Sequence, residues 1–203
     1  FFARNLILKG ILALESTGKN NESLKRLFKI KKFTEKLINY KSVELNEIHP
    51  KHHILKYHDF FANNINDDVK SILEVGSGNG FVTQHLASRF ENSDIVGIDI
   101  NYENVKKNSK KYNLKNLKFI HGDVTKYEFK KKFEVIILSN VLEHIENRVD
   151  FLNKIKERVD PKSFLIRVPL FERSWDIPFQ KKLNLNYFTD KEHFIEHTVN
   201  EFY

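Results

Sequence analysis

Between residues 69 and 168, short apolar runs alternate with longer amphipathic ones, and this alternation narrows the chain to one kind of architecture. Ser71–Val75, Asp94–Ile100, Leu117–Ile120, Phe133–Leu138 and Ser163–Val168 read as strands. Phe81–Phe90, Tyr102–Tyr112 and Glu146–Val159 read as helices. Val82, Leu86 and Phe90 recur four apart in the first, and Val149, Leu152, Ile155 and Val159 share one face of the last. Strands separated by helices need crossovers, and crossovers give a parallel sheet with helices on both faces. Phe133–Leu138 is the most apolar strand, as expected for one buried on both sides. The predicted fold is α/β: a doubly wound, mostly parallel sheet of five strands.

The flanks read differently. The first sixty residues are helical in pattern, with Leu24, Leu27, Phe28, Ile30, Phe33, Leu37 and Ile38 three or four apart. Pro50 opens a further helical segment, Lys51–Asn64, with Ile54, Tyr57, Phe60 and Phe61 on one side. The tail from Pro169 reads as loop, then a helix from near Thr189 or Thr198. Residues 1–64 are expected to form a helical extension or lid, and residues 65–203 the main domain.

Composition enters by exclusion. The chain has no cysteine, which removes disulfides, thiolate metal sites and a cysteine nucleophile, and is compatible with a cytoplasmic location. No apolar run approaches the roughly 20 residues that span a bilayer. The stretch from Leu6 to Leu14 contains Lys9 and Gly10 and reads as a helix, not a signal peptide. The formal charge of +7 is spread over separated lysine pairs such as Lys31-Lys32 and Lys181-Lys182, the pattern of solvated faces. Methionine is absent and the chain begins at Phe1, so the expectation is that either it is a fragment, or modified methionines are omitted from the sequence and some spacings are short by one.

The strand Ile72–Val75 ends in Glu74-Val75-Gly76-Ser77-Gly78-Asn79-Gly80, and a helix follows at once. Glycines there permit a tight turn and a ligand's close approach, and the free amides of a helix start favour a negative group. The dinucleotide fingerprint G-x-G-x-x-G fails because its third glycine position is Phe81, and no Gly-Lys-Ser/Thr ending marks a P-loop. Asp99 ends the second strand, nineteen residues after Gly80. A carboxylate at that strand end can accept both ribose hydroxyls of a nucleoside. Asp123, in Gly122-Asp123-Val124, follows the third strand, and the fourth runs into Ser139-Asn140-Val141-Leu142-Glu143-His144-Ile145.

In order and position, these features resemble the Rossmann-like (class I) S-adenosylmethionine (SAM)-dependent methyltransferases of the small-molecule type, over residues 70–168. The resemblance implies SAM as cofactor. The backbone at Gly76, Ser77, Gly78 and Gly80 would face its methionine part, and Glu74 would orient the ammonium. Asp99 would hold the ribose, with Ile100 beside the adenine. Asp123 would accept from the adenine amino group and Val124 donate its amide, while Asn140 would lie under the cofactor at the mouth of the substrate pocket. Each carboxylate also has a local reading: Glu74 as a backbone cap, Asp99 as the cap of the helix from Tyr102, Asp123 as a turn residue. The family's sheet has seven strands, so its last two are expected to be missing here.

A SAM methyl group is already activated, which leaves the protein to bind, desolvate and aim the acceptor. Oxygen acceptors also need a base. Glu143 and His144, at the carboxyl edge of the sheet, are the candidates, against a packing or capping role for His144. The other histidines form two groups, His49, His52, His53 and His58, and the pair His193 and His197, whose spacing suits one helix face. H-E-x-x-H is absent and no metal is expected. Arg167, Phe171, Arg173 and Trp175 are placed to line an acceptor pocket, and residues 190–201 resemble the family's acceptor-covering segment. Residues 48–53 with Tyr57–Phe61 resemble the lead-in of methyltransferases associated with surface-polysaccharide synthesis.

The expected function is methyl transfer to oxygen or nitrogen of a small-molecule, saccharide or lipid-linked acceptor. A nucleic-acid methyltransferase is the alternative, disfavoured because no D/N-P-P-Y/F follows the fourth strand. A non-catalytic SAM-binding regulatory subunit is the other, disfavoured by the intact glycines and Asp99.

Overall fold

The computed structural model describes residues 2–18, 21–46 and 50–202; Ile48 and His49, and the side chains of Lys51 and His53, lie outside the described parts. The chain divides into two compact units, residues 1–55 with 171–187, and residues 56–170 with 188–203.

The larger unit holds a five-stranded sheet of β1 (Ser71–Val75), β2 (Asp94–Asp99), β3 (Leu117–His121), β4 (Val135–Ser139) and β5 (Ser163–Arg167). All pairings are parallel, in the order β3-β2-β1-β4-β5. Central β1 and β4 carry the fully buried Ile72, Leu73, Ile136, Ile137 and Leu138. Successive side chains leave a strand on opposite faces, and the core divides accordingly. Ile72, Val135 and Ile137 pack with Val82, Leu86 and Phe90 of the segment from α5 (Phe81–Arg89) and with Phe61 of α4 (His58–Asn63). Leu73, Ile136 and Leu138 pack on the other side with Ile155 and Val159 of α7 (Arg148–Val159). Between β2 and β3 lies α6 (Tyr102–Lys111), whose cap is Asn101, with its side chain accepting from the amides of Glu103 at 3.0 Å and Asn104 at 3.2 Å.

Several expected boundaries move for local reasons. The fourth strand starts at Val135, not Phe133. Helix α7 starts at Arg148, not Glu146, because the Asn147 side chain caps it by accepting from the amide of Asp150 at 3.2 Å. Val149, expected on the core face, is 71% exposed; Phe151 packs inward beside the expected Leu152. The single helix expected over 51–64 is two, α3 (Lys51–Ile54) and α4, broken where Lys56 takes φ +43°. No helix begins at Thr189. Among the described tail residues the only turn of helix after Thr189 is a 3₁₀ turn at Val199–Phe202.

The smaller unit contains α1 (Phe2–Glu15), α2 (Asn21–Asn46), α3 and α8 (Asp176–Lys182). Helix α8 falls where the tail was expected to be loop, and Pro178 sits in its first turn, where a missing amide costs no helical hydrogen bond. Arg26 of α2 donates to the carbonyls of Glu15 at 3.1 Å and Thr17 at 2.9 Å, satisfying acceptors at the end of α1. Lys31 pairs with buried Asp176, and Phe28 meets Phe179 edge-on at 6.0 Å. No described helix is long and apolar enough to cross a membrane.

Candidate functional site

Strand order reverses between β1 and β4, and a crevice opens there at the carboxyl ends of the strands. The glycine loop after β1 forms one wall. Its course is held by backbone contacts: the Gly76 amide donates to Ile98 O at 2.8 Å and the Gly80 amide to Ser77 O at 2.8 Å. The Gly78 amide donates to the Asp99 carboxylate at 2.7 Å, and the Asn108 side chain donates to Gly78 O at 2.9 Å.

Two of the glycines serve different ends. Gly80 has φ +73°, and a Cβ there would lie 2.9 Å from Asn108, Phe119 and Tyr112, so packing demands glycine. Gly78 has φ +50°, yet a Cβ there would meet nothing closer than Gly76 O at 4.0 Å. The space over Gly78 is an open cradle. Ser77, the preceding residue, is buried and its Oγ has no hydrogen-bond partner.

Next to the loop is a cavity of about 320 Å³, lined by Gly76, Asp99, Ile100, Asp123, Val124 and Val141 among others. Apolar walls with carboxylates at the edge suit a flat heterocycle joined to a sugar. Asp99 is buried, and its second oxygen accepts from the amide of Asn101 at 2.8 Å. The cap of α6 is thus Asn101, with Asp99 tying that cap to the glycine loop. Asp123 has the turn geometry, accepting from the Thr125 amide at 2.9 Å and hydroxyl at 2.7 Å. Its other oxygen lies 3.4 Å from Lys126 Nζ. Burial pushes its carboxyl up, but the Thr125 and Lys126 contacts outweigh that and hold it below the usual range.

Glu74 is buried at the end of β1 and accepts from the Thr83 hydroxyl of α5, with the Thr83 amide as a second partner. Burial pushes its carboxyl up to about 8, although the Thr83 contact opposes this.

At the end of β4, Asn140 takes φ +59° and its amide donates to Arg167 O at 2.8 Å. Arg167 donates in turn to the Asn140 side chain and lies 4.2 Å over the Tyr57 ring. Such a left-handed asparagine is costly and is held here by its contacts to β5. Tyr57, Phe60, Ile166, Arg167, Leu170 and Val199 line a second, larger cavity of about 550 Å³. Of the residues expected along an acceptor pocket, Arg167 lines this cavity; Phe171, Arg173 and Trp175 belong to the smaller unit.

Glu143 and His144 form a 3₁₀ turn, Leu142–His144, just beyond Asn140. The Glu143 side chain is wholly buried and its carboxyl is pushed up by that burial. The His144 ring meets the His193 ring edge-on at 4.5 Å. His193 and His197 do not share a helix face: His193 lies in irregular chain just past a turn, and His197 pairs with Leu170 in an isolated bridge. Sequence reasoning missed the proximity of His193 to His144 and the Arg167–Asn140 contact, since no local pattern relates residues so far apart in the chain.

A doubly wound sheet with a glycine cradle, a strand-end carboxylate and an apolar cavity defines a nucleoside-binding, Rossmann-like domain. A family model described as a methyltransferase domain matches residues 66–174, just over half of the chain, and the chain belongs to that family. It is 34% identical over 119 residues to N-methyltransferase 4 of Papaver somniferum, covering 56% of this chain and 33% of that protein. It is 29% identical over 101 residues to malonyl-[acyl-carrier protein] O-methyltransferase 2 of Ilyobacter polytropus, covering 49% of this chain and 39% of that protein. The match therefore spans little more than a third of these relatives' length. In fold, the chain is similar to magnesium protoporphyrin IX methyltransferase from Synechocystis PCC 6803, crystallised with bound S-adenosylhomocysteine (SAH). The TM-score is 0.55 at 15% identity, over 75% of this chain and 68% of that one.

Proposed function

We propose that this domain binds SAM in the crevice at the ends of β1 and β4 and transfers its methyl group to oxygen or nitrogen of a small-molecule, saccharide or lipid-linked acceptor. The observation that carries the reading is the coupling of the open Gly78 cradle to Asp99 through the 2.7 Å bond, beside the 320 Å³ cavity. The cradle at Gly76, Ser77 and Gly78, closed by Gly80, takes the methionine part. Glu74 lies beneath, and the bound ammonium draws its carboxyl, protonated in the ligand-free chain, into the charged form that balances it. Asp99 retains acceptor capacity for the ribose hydroxyls beyond its two backbone bonds. Ile100 and Val124 flank the adenine, and Asp123 accepts from its amino group through the oxygen not engaged by Thr125.

SAM supplies an activated methyl group. The chain's own residues position the acceptor and receive its proton. The larger cavity, with Tyr57 and Phe60 along it and Arg167 clamped to Asn140, supports an acceptor site on the β5 side. Glu143 and His144 are the proposed proton-accepting pair, from their place beyond the end of β4. The named relatives methylate nitrogen in one case and oxygen in the other, which fits either acceptor atom.

Calorimetry with SAM, SAH and NAD tests the cofactor. SAM and SAH are expected to bind; NAD binding without SAM binding overturns the proposal. Radiolabelled methyl transfer to a metabolite extract then separates an enzyme from a silent SAM-binding subunit. His144→Ala is expected to lower turnover well before it weakens SAM binding. Unchanged turnover removes His144 as the base.

A further inference from the structure

Glu143 presents an electrostatic problem that methyl transfer alone does not explain. Its side chain is wholly buried, and neither carboxylate oxygen accepts a hydrogen bond from another residue. An ionised carboxylate buried without compensation is strongly disfavoured, so such groups are paired, protonated or bound to a cation. Its neighbours are two imidazoles: one ligand atom from each of Glu143, His144 and His193 lies within 4.8 Å of the others.

We propose that Glu143, His144 and His193 hold a divalent transition-metal ion, with Glu196 as the outer carboxylate that orients His193. His193 Nδ1 lies 3.1 Å from Glu196 Oε1, which leaves Nε2 as the nitrogen free for an ion. A histidine held at one nitrogen by a carboxylate and offering the other is the usual support of a metal ligand. The buried Glu196 is itself fixed, since its Oε1 accepts from the Thr189 amide at 2.5 Å. The two ligand-bearing segments are joined by the Phe194 amide, which donates to Glu143 O at 2.8 Å.

In a tetrahedral site, ligand atoms about 2.0–2.2 Å from the ion lie about 3.3–3.6 Å apart, so this group, now within 4.8 Å, closes by about 1 Å on binding, a movement within reach of side-chain rotation. One carboxylate oxygen and two imidazole nitrogens select zinc, cobalt, nickel, manganese or ferrous iron over magnesium and calcium, which prefer all-oxygen sites. A second cluster, His58, Asp59 and His85, differs in kind. There Asp59 already faces both imidazoles, at 3.3 and 3.5 Å, so its carboxylate has partners that Glu143 lacks.

This inference goes beyond the methyl-transfer reading. With an ion in place His144 is a ligand, and only in the metal-free chain is it open to the proton-accepting role, so turnover with and without metal tells the two apart. The test uses the full chain after dialysis against a chelator. Cobalt(II) is titrated with visible absorption as the readout, and zinc by calorimetry. One ion per chain is expected, with the ligand-field bands of a four- or five-coordinate site.

His193→Ala and the near-isosteric Glu143→Gln should each weaken binding by roughly tenfold or more, and Glu196→Gln by about 10–100-fold. His85→Ala, in the other cluster, should leave it unchanged. Circular dichroism checks that each variant is folded; should Glu143→Gln not fold, His193→Ala and Glu196→Gln still decide. No stoichiometric binding, or binding that ignores these variants and is lost in His85→Ala, overturns the proposal. SAM calorimetry in chelator keeps the two readings apart: SAM binding without any metal site overturns this inference alone, and loss of SAM binding in every condition overturns the methyltransferase reading.

Discussion

Gly78 and Gly80 are two residues apart, both at positive φ, and alanine at each should fail in a different way. At Gly80 the left-handed backbone costs an alanine ~1–2 kcal/mol. The new methyl group would also stand 2.9 Å from Asn108, Phe119 and Tyr112. Overpacking of that kind adds ~1–3 kcal/mol. The sum, ~2–5 kcal/mol, is a large share of the ~5–15 kcal/mol that holds a domain together. At ~2–4 °C per kcal/mol for a chain of this size, Gly80→Ala should lower Tm by roughly 4–20 °C. Gly78→Ala meets the same backbone penalty but no clash, so its Tm should fall by only roughly 2–8 °C. Its methyl group enters the cradle, however, and SAM affinity should drop by about tenfold or more, ~1.4 kcal/mol. Thermal melts followed by circular dichroism read the first effect. Calorimetry with SAM, at a temperature where both variants are folded, reads the second. If Gly78→Ala binds SAM as tightly as the parent chain, the space above Gly78 is not the ligand's. If the two variants lose equal stability, the packing around Gly80 has been misread.

Other outcomes follow from the same geometry. Glu74, pushed up to about 8 against an ordinary 4.5, keeps a proton in the folded chain that the unfolded chain releases above about pH 4.5. Stability of the ligand-free chain should therefore fall as pH rises from about 4.5 to about 8, by up to ~1.4 kcal/mol per pH unit, and level off above. Glu74→Gln should flatten that slope in a series of melts from pH 5 to 9; an unchanged slope assigns it elsewhere. Asp99→Asn keeps the shape but weakens an acceptor of two backbone amides and, in the proposed complex, of the ribose. Charge-assisted hydrogen bonds are worth ~1.5–3 kcal/mol, so calorimetry should show SAM affinity down by roughly ten- to a hundredfold. Parent-like affinity for that variant would sink the ribose assignment.

The sheet was legible in the sequence because its information is local. Ile72, Leu73, Ile136, Ile137 and Leu138 are apolar on consecutive positions because β1 and β4 are covered on both faces, and that pattern appears in few other settings. The break at Lys56 and helix α8 were not legible, since short helices carry too few turns to show a period. Val149 shows a different failure. It falls at the right spacing for the core face of α7, yet in the first turn, ahead of the point where Phe151 and Leu152 pack on the core.

Site residues divide along the same line. Gly76 to Gly80, Asp99 and Asp123 sit at strand ends, and in a parallel sheet all strand carboxyl ends lie on one edge, so placing the strands gathers these residues. His193 has no strand to place it. It reaches His144 because the Phe194 amide bonds to Glu143 and the Thr189–Glu196 contact folds the tail into a turn. Asn140 is intermediate. Its position after β4 was readable, but its left-handed backbone and its clamp to Arg167 depend on β5 being the neighbour of β4. In this domain the cofactor side is written in local sequence and the acceptor side in tertiary contacts. The proposed methyl-donor site can thus be argued from Gly78 and Asp99, whereas the proposed acceptor side rests on tertiary contacts such as that of Arg167 over Tyr57.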